Sequence, residues 1–298
     1  MSATTTRMSA ATLPRISARR RRTDQIMRGS LFAATIVALI PLVLVIYYLL
    51  HKGLSLWFTS GFFTTDPTGS FFGSPGGIRS AILGSLEIVA LATVISIPIG
   101  IGVALYLTEY GKDGRFANIV RYFVDVMTGV PSIMFGLFIY IVLVVGDFGG
   151  SGYAAWKGAV ALALLMLPIV IRSSEVVLLL VPSSLREAAL ALGAPRWRVV
   201  FQVVLPTSAS GLVTGCLLAI ARGMGETAPL LFTVATAFGL TFSLGQQMDT
   251  MPYLIYNDIT SPRTAIENIA WGAALTLVAI VLIFNLIARL IASRSRMA

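Results

Sequence analysis

Six long apolar runs punctuate this chain, at about residues 30–51, 79–108, 119–145, 157–181, 206–238 and 268–292. A helix rising 1.5 Å per residue needs about 20 apolar residues to cross a bilayer core of about 30 Å. Six transmembrane helices are therefore predicted, and they use up most of the 298 residues. The expected fold class is an all-α polytopic membrane protein, with one membrane domain over residues 29–298. The second and fifth runs exceed what a crossing needs, which predicts tilt, a kink at Pro98 or Pro229, or continuation beyond the bilayer. Charged residues make up only 12% of the chain, whereas a soluble domain has roughly 25%.

Orientation follows from the cations, because short loops rich in arginine and lysine stay in the cytoplasm. Arg7, Arg15, Arg19 to Arg22 and Arg28 precede the first run, while Lys112, Arg115 and Arg121 lie between the second and third. Arg186, Arg196 and Arg198 lie between the fourth and fifth, and Arg289, Arg294 and Arg296 lie at the C-terminal end. Both termini are thus expected in the cytoplasm. The other connections hold Asp66, Asp147, Asp249, Asp258 and Glu267 against few cations. Their placement accounts for the net charge of +9, so no nucleic-acid partner is expected. Residues 1–28, with serine, threonine and clustered arginines, are expected to be a disordered, lipid-facing cytoplasmic tail. The first run is too long for a removable signal segment and has no small-residue cleavage site after it.

Several chemistries are excluded by arithmetic. With one histidine, His51, and one cysteine, Cys216, the chain lacks the residues for a zinc site or a Cys/His constellation of its own. No G-x-x-x-x-G-K-[ST] occurs, so no nucleotide-binding P-loop is expected. The outward segment from Gly53 to Ile78, rich in phenylalanine and glycine, suits an interfacial aromatic belt with turns.

The segment Pro182 to Pro195 between the fourth and fifth runs reads as a short helix specified at both ends, over about 184–193. Ser184 and Glu187 have capping-box spacing, Gly193 supplies a left-handed stop and Pro195 blocks continuation. Leu185, Ala188, Ala189 and Leu192 fall on one helix face, an apolar stripe able to dock into a groove or to lie on lipid headgroups. Glu187, Ala188, Ala189, Gly193, Val203, Leu205 and Pro206 together match E-A-A-x3-G-x9-I-x-L-P, with valine in place of isoleucine. This pattern resembles the EAA loop of importer-type ABC transporter permeases. The resemblance implies that the helix is a coupling helix seated in a cleft of a separate ATP-hydrolysing subunit. Glu187 then has two candidate roles, a cap by spacing and a salt bridge to the ATPase by resemblance.

Ionisable groups inside a span cost about 2.5 to 3.5 kcal/mol each on insertion scales, so each requires a partner or a task. Arg172 and Glu175 sit three apart, Arg222 and Glu226 four apart, and each pair shares a helix face. Arg222 falls well inside the fifth run, where a planar fork of donors suits an oxyanion. Glu87 and Asp125 are expected to make contacts within the bundle. Gly211, Gly215 and Ala219 form a small-residue stripe that permits close packing, either within the bundle or with a second permease.

Arg172 to Glu175, Leu185 to Ala189 and Ala219-Ile220-Ala221-Arg222-Gly223-Met224-Gly225-Glu226-Thr227-Ala228-Pro229-Leu230 are similar to the PstA-type permease family of phosphate-specific importers. Gly129 to Ile133 and Pro75 to Ile78 share that similarity, which covers about residues 30–292. It implies a type I importer permease domain over 29–298 in a bacterial cell membrane, working with two ATPase copies, a second related permease and an extracytoplasmic phosphate-binding protein. ATP and magnesium would be held by the ATPase, with no cofactor and no catalysis on this chain. Arg222 and Glu226, and with them Arg172, would line the phosphate path. Residues 239–267, with Met251, Tyr253, Tyr256 and Asp258, are a candidate docking surface for the binding protein. Permeases for sulfate, molybdate or phosphonate share the EAA loop and are the nearest alternatives. An ion-coupled secondary transporter would explain the charged pairs but not the capped helix.

Overall fold

The structure is a computed structural model that describes residues 17–68, 74–112, 114–150, 152–237 and 239–294. Eleven α-helices are present among the described residues: α1 (Ala18–Trp57), α2 (Arg79–Leu105), α3 (Arg115–Gly129), α4 (Ser132–Ile139), α5 (Ala155–Leu179), α6 (Ser183–Ala191), α7 (Arg196–Val199), α8 (Leu205–Met224), α9 (Ala228–Thr233), α10 (Met251–Asp258) and α11 (Thr264–Arg294). Three π-helical stretches, Tyr106–Gly111, Tyr140–Val145 and Val200–Val204, join on to α2, α4 and α7. The chain divides into two units, residues 1–48 and 49–298.

In the first unit, helix begins at Ala18, so residues 18–28 of the expected disordered tail are helical. Arginine is a good helix former, the apolar run behind it supplies the nucleus, and Asp24 pairs with Arg28 one turn on at 3.0 Å. Residues 1–16 of that tail lie outside the described residues.

Five helical stretches are long and apolar enough to cross a membrane, and a sixth crossing is the bent pair α3 and α4. Counted as one span, that pair brings the total to the six expected crossings; it alone among them is broken, while the fifth runs continuously over Arg196–Met224 rather than 206–238. The third breaks between α3 and α4 with a bend of 103°. Proline disfavours helical geometry in the residue before it, and Val130 takes φ −74°, ψ 130° ahead of Pro131. The fifth, expected as one helix over 206–238, ends at Met224 and resumes only as the six-residue α9. Gly225 closes α8, and Pro229 lies in the first turn of α9, where its missing N–H costs nothing. By contrast Pro98 sits inside α2 without ending it.

Within residues 49–298, α5 is the central rod, with α2 along one side and α8 along another. Gly211, Gly215 and Gly223 of α8 lie directly against Val177, Ser173 and Met166 of α5, so these helices run antiparallel in close contact. The small-residue stripe on α8 thus packs inside the chain. Ile88, Leu162, Met166, Val170, Ala219 and Leu230 fill the main core between these helices. At the end opposite α6, the unpaired N-terminal amides of α5 are taken up by loop carbonyls. Ala154 N–H donates to Thr233 O, Ala155 to Gln246 O and Trp156 to Leu244 O, at 2.9 to 3.2 Å.

Candidate substrate path and coupling site

The two arginine–glutamate pairs occupy different surroundings. Arg172 Nη1 donates to Glu175 Oε2 at 2.7 Å, Arg121 Nε donates to Glu175 Oε1 at 2.7 Å, and Arg172 Nη2 donates to Asp125. Arg121 Nη2 also donates to Leu107 O at 3.0 Å, a carbonyl in the π-helical turn that ends α2. Glu175 is buried. The expected pair is therefore half of a four-residue clasp joining α2, α3 and α5. The sequence reading assigned Arg121 only to membrane orientation and so missed its contact with Glu175, 54 residues away.

Arg222 lies near the end of α8, where its Nη2 meets Glu226 Oε1 at 2.9 Å, just past the helix terminus. Its side chain is 58% exposed. A cation near the carboxyl end of a helix is favoured by the helix dipole. Arg222 also lines a cavity of about 290 Å³ together with Met127, Thr128, Val130, Ser132, Leu165 and Pro168. That cavity sits at the break between α3 and α4. Its α5 wall, Leu165 to Ile169, leaves ten helical residues on either side in the 25-residue α5. The α3–α4 break and the end of α8 consequently meet midway along α5. Arg172 is not among the residues lining this cavity.

The short helix between α5 and α8 is present as α6, bounded by Ser183 and Ala191. Its stop follows the expected chemistry. Gly193 has φ +80°, Gly193 N–H donates to Leu190 O at 2.9 Å, and Ala194 N–H donates to Ala189 O at 3.2 Å, a Schellman closure. Its start does not. Pro182 occupies the N-cap position and no side chain caps the helix, so the Ser184 to Glu187 capping box does not form. The helix starts early enough to put Ser184 inside its first turn, where its hydroxyl cannot act as an N-cap. None of the α6 residues is buried. Leu185 is 43% exposed and Leu192 89%, while Glu187 and Ala188 are also exposed and Ala189 is half-buried.

At the opposite end, a cavity of about 380 Å³ is lined by Asp249, Tyr253, Asn257, Asp258 and Thr260. Asp249 accepts from the Ser80 hydroxyl at 3.0 Å and from Ala237 N–H at 3.2 Å, while burial pushes its carboxyl up to about 6. Burial also raises Asp258. Asp66 behaves oppositely, held low by a bidentate bond from Arg79 with contacts of 3.0 and 2.6 Å. Of the expected docking residues Tyr256 is exposed and Tyr253 and Asp258 line the cavity, but Met251 is fully buried against Phe62 and Ile78. Met251, Pro252 and Leu254 share the buried face of the short α10, which turns Met251 into the core. The sequence reading also missed Lys157, a fully buried cation whose Nζ donates to Leu143 O, Gly150 O and Gly152 O at 2.7 to 3.2 Å.

A broken crossing beside an arginine at the end of α8, with an exposed helix standing at one end of the bundle, suits a membrane transport subunit. Over residues 96–297 the chain matches the binding-protein-dependent transport system inner membrane components, and it belongs to that family. It is 39% identical over 269 residues to the phosphate transport system permease protein PstA of Haemophilus influenzae, covering 90% of this chain and 93% of the relative. It is 43% identical over 221 residues to the PstA protein of Yersinia pestis, covering 74% of each. In fold it is similar to a chain of a bacterial alginate ABC transporter in complex with its alginate-loaded periplasmic protein, with TM-score 0.63, 15% identity, and 93% and 96% coverage. The chain is therefore a multi-pass inner membrane permease component without catalysis of its own, and it works with ATPase and binding-protein partners.

Proposed function

We propose that this chain translocates inorganic phosphate in an ATP-driven importer, with Arg222 and Glu226 on the path. The observation that carries the assignment is the position of Arg222, half-exposed beside a cavity where the α3–α4 break meets the end of α8. An oxyanion entering there would exchange with the Glu226 carboxylate for the arginine fork, so the guanidinium is never left bare in a poor dielectric. The start of α4 at Ser132 adds the favourable end of a helix dipole to the same wall. The phosphate assignment over sulfate, molybdate or phosphonate is supported by the relatives named above.

In this reading α6 faces the cytoplasm, as do both termini, and Leu185, Glu187, Ala188, Ala189, Leu192 and Gly193 form the seat for the ATPase. The exposure of Leu185 and Leu192 supports that seat, because an apolar surface left bare in the chain alone needs a cover. A second related permease completes the path, and the residues around Tyr253 and Asp258 receive the phosphate-loaded binding protein. Arg172 belongs to the clasp rather than the path, since its donors are occupied by Glu175, Asp125 and the Arg121 carbonyl.

The deciding experiment is [32P]phosphate uptake into proteoliposomes holding the assembled importer, with sulfate and molybdate as competitors. Uptake that needs ATP and the binding protein, and that excess sulfate leaves untouched, is the expected result. Uptake driven by a proton gradient without the ATPase overturns the proposal.

A further inference from the structure

Helix α6 reaches the bundle through very few side chains, and one of them touches two crossings at once. Arg186 Nε and Nη2 donate to Glu109 Oε1 at 3.0 and 2.9 Å, binding α6 to the π-helical end of α2. The same guanidinium donates from Nη2 to Leu178 O at 2.8 Å and from Nη1 to Val181 O at 2.5 Å. Those carbonyls belong to the last turn of α5 and the residues just beyond it, where Leu178 O also accepts from Val181 N–H at 3.3 Å. Both partners are largely withdrawn from solvent, with 21% of the arginine side chain and 12% of the glutamate exposed. Around them Ala189 packs on Ala104, Leu178, Val181 and Val204, giving a small apolar seat without long levers.

We infer that Arg186 is the joint through which displacement of α6 is passed to α2 and α5, with Glu109 as its anchor. A rod held by an apolar seat alone can slide, because such contacts have no direction. A planar fork bonded to three fixed acceptors resists both sliding and rotation. The π-helical turn places Glu109 at this joint and, two residues earlier, offers Leu107 O to Arg121 of the α3–α5 clasp. Displacement at α6 therefore reaches α2, α5 and, through Arg121 and Glu175, α3. The step toward the cavity is short, since α3 ends at the Gly129 to Pro131 break that forms its wall.

This inference rests on the reading of α6 as the ATPase seat, and its test separates the two. The importer is assembled with its ATPase, second permease and binding protein, carrying Glu109→Gln, Arg186→Gln or Arg186→Lys. Bound ATPase, ATP hydrolysis and phosphate uptake are measured on the same proteoliposomes. Glu109→Gln and Arg186→Gln are expected to keep the ATPase bound and hydrolysing while phosphate moved per ATP falls about tenfold, within the range of a residue that carries coupling. Arg186→Lys keeps the charge but loses the fork, so an intermediate ratio, down about threefold, is expected. An unchanged ratio in Glu109→Gln and Arg186→Gln overturns the joint. Loss of the ATPase, or of the assembled complex, in both variants also overturns it, making the pair part of the seat or of the fold. A separate Leu192→Asp variant that retains its ATPase would refute the seat itself, whatever the ratio shows.

Discussion

Arg172 with Glu175 and Arg222 with Glu226 are nearly the same pattern along the chain, an arginine about one turn before a glutamate inside an apolar run. In space they diverge. Glu175, 7% exposed, is clasped by Arg121 and Arg172, and Asp125 takes a further donor of Arg172. Arg222 has one bridge to Glu226 and otherwise faces a cavity. Pairing alone therefore does not distinguish a charge that holds helices together from one available to a ligand. The distinction is whether the remaining donors of the cation are already consumed, and those donors are met by residues distant in sequence.

The contrast is broken most decisively at Arg222. Replacing it with Gln is expected to lower phosphate uptake by about a hundredfold, the scale for removing one partner of a hydrogen-bonded charge pair, while the assembled complex is recovered in normal amount. Normal uptake in that variant would remove Arg222 from the path. Arg172→Gln should act through stability instead. It leaves Asp125 unpaired and Glu175 with Arg121 alone, a loss of about 2 to 4 kcal/mol visible as a lower midpoint in thermal unfolding. A variant that melts like the parent yet transports nothing would move Arg172 into the path and erase the contrast.

Smaller effects sharpen the picture around the broken crossing and the end of α8. A side chain at Gly136 of α4 would press on the Pro229 backbone of α9, Cβ to Cα at 2.7 Å, where nothing flexible can yield. Gly136→Val should cost about 1 to 3 kcal/mol and lower uptake together with stability. Parent-like unfolding of Gly136→Val would show that the two short helices need not touch. The mildest change is a pH effect at the far end. Asp249 titrates at about 6 in the fold against 3.8 when unfolded, so the native state binds the extra proton between those values. Its contribution is fully present below 3.8, falls as pH rises to about 6 and is flat above. Asp249→Asn should flatten that slope, read as a smaller fall in Tm between pH 4 and pH 7 than the parent shows. An unaltered slope would assign the pH dependence to another group, Asp258 first.

Much of the candidate site was legible because its signals are local. The length of six apolar runs set the number of crossings, and Gly193 announced a helix stop that depends only on its own backbone angle. The same locality misled at Ser184, where a four-residue spacing matched a cap but Pro182 had already started the helix. The break at Val130 was readable from the proline after it, yet hydrophobicity alone continues through the site unchanged. The end of α8 at Met224 was masked in the same way, since residues 225–238 remain apolar enough to extend a span.

Sequence by itself determined that this chain lives in a bilayer, how many times it crosses, and that a short helix with a glycine stop stands between α5 and α8. Those properties follow from hydrophobic length and from backbone preferences spanning a few residues. Only the tertiary structure decided that Arg121 clasps Glu175, that Arg186 bonds α6 to α2 and α5, and that Arg222 rather than Arg172 lines the cavity at the α3–α4 break. Each of those contacts joins groups on different helices, and a charge acquires its role from the acceptors that packing brings to it.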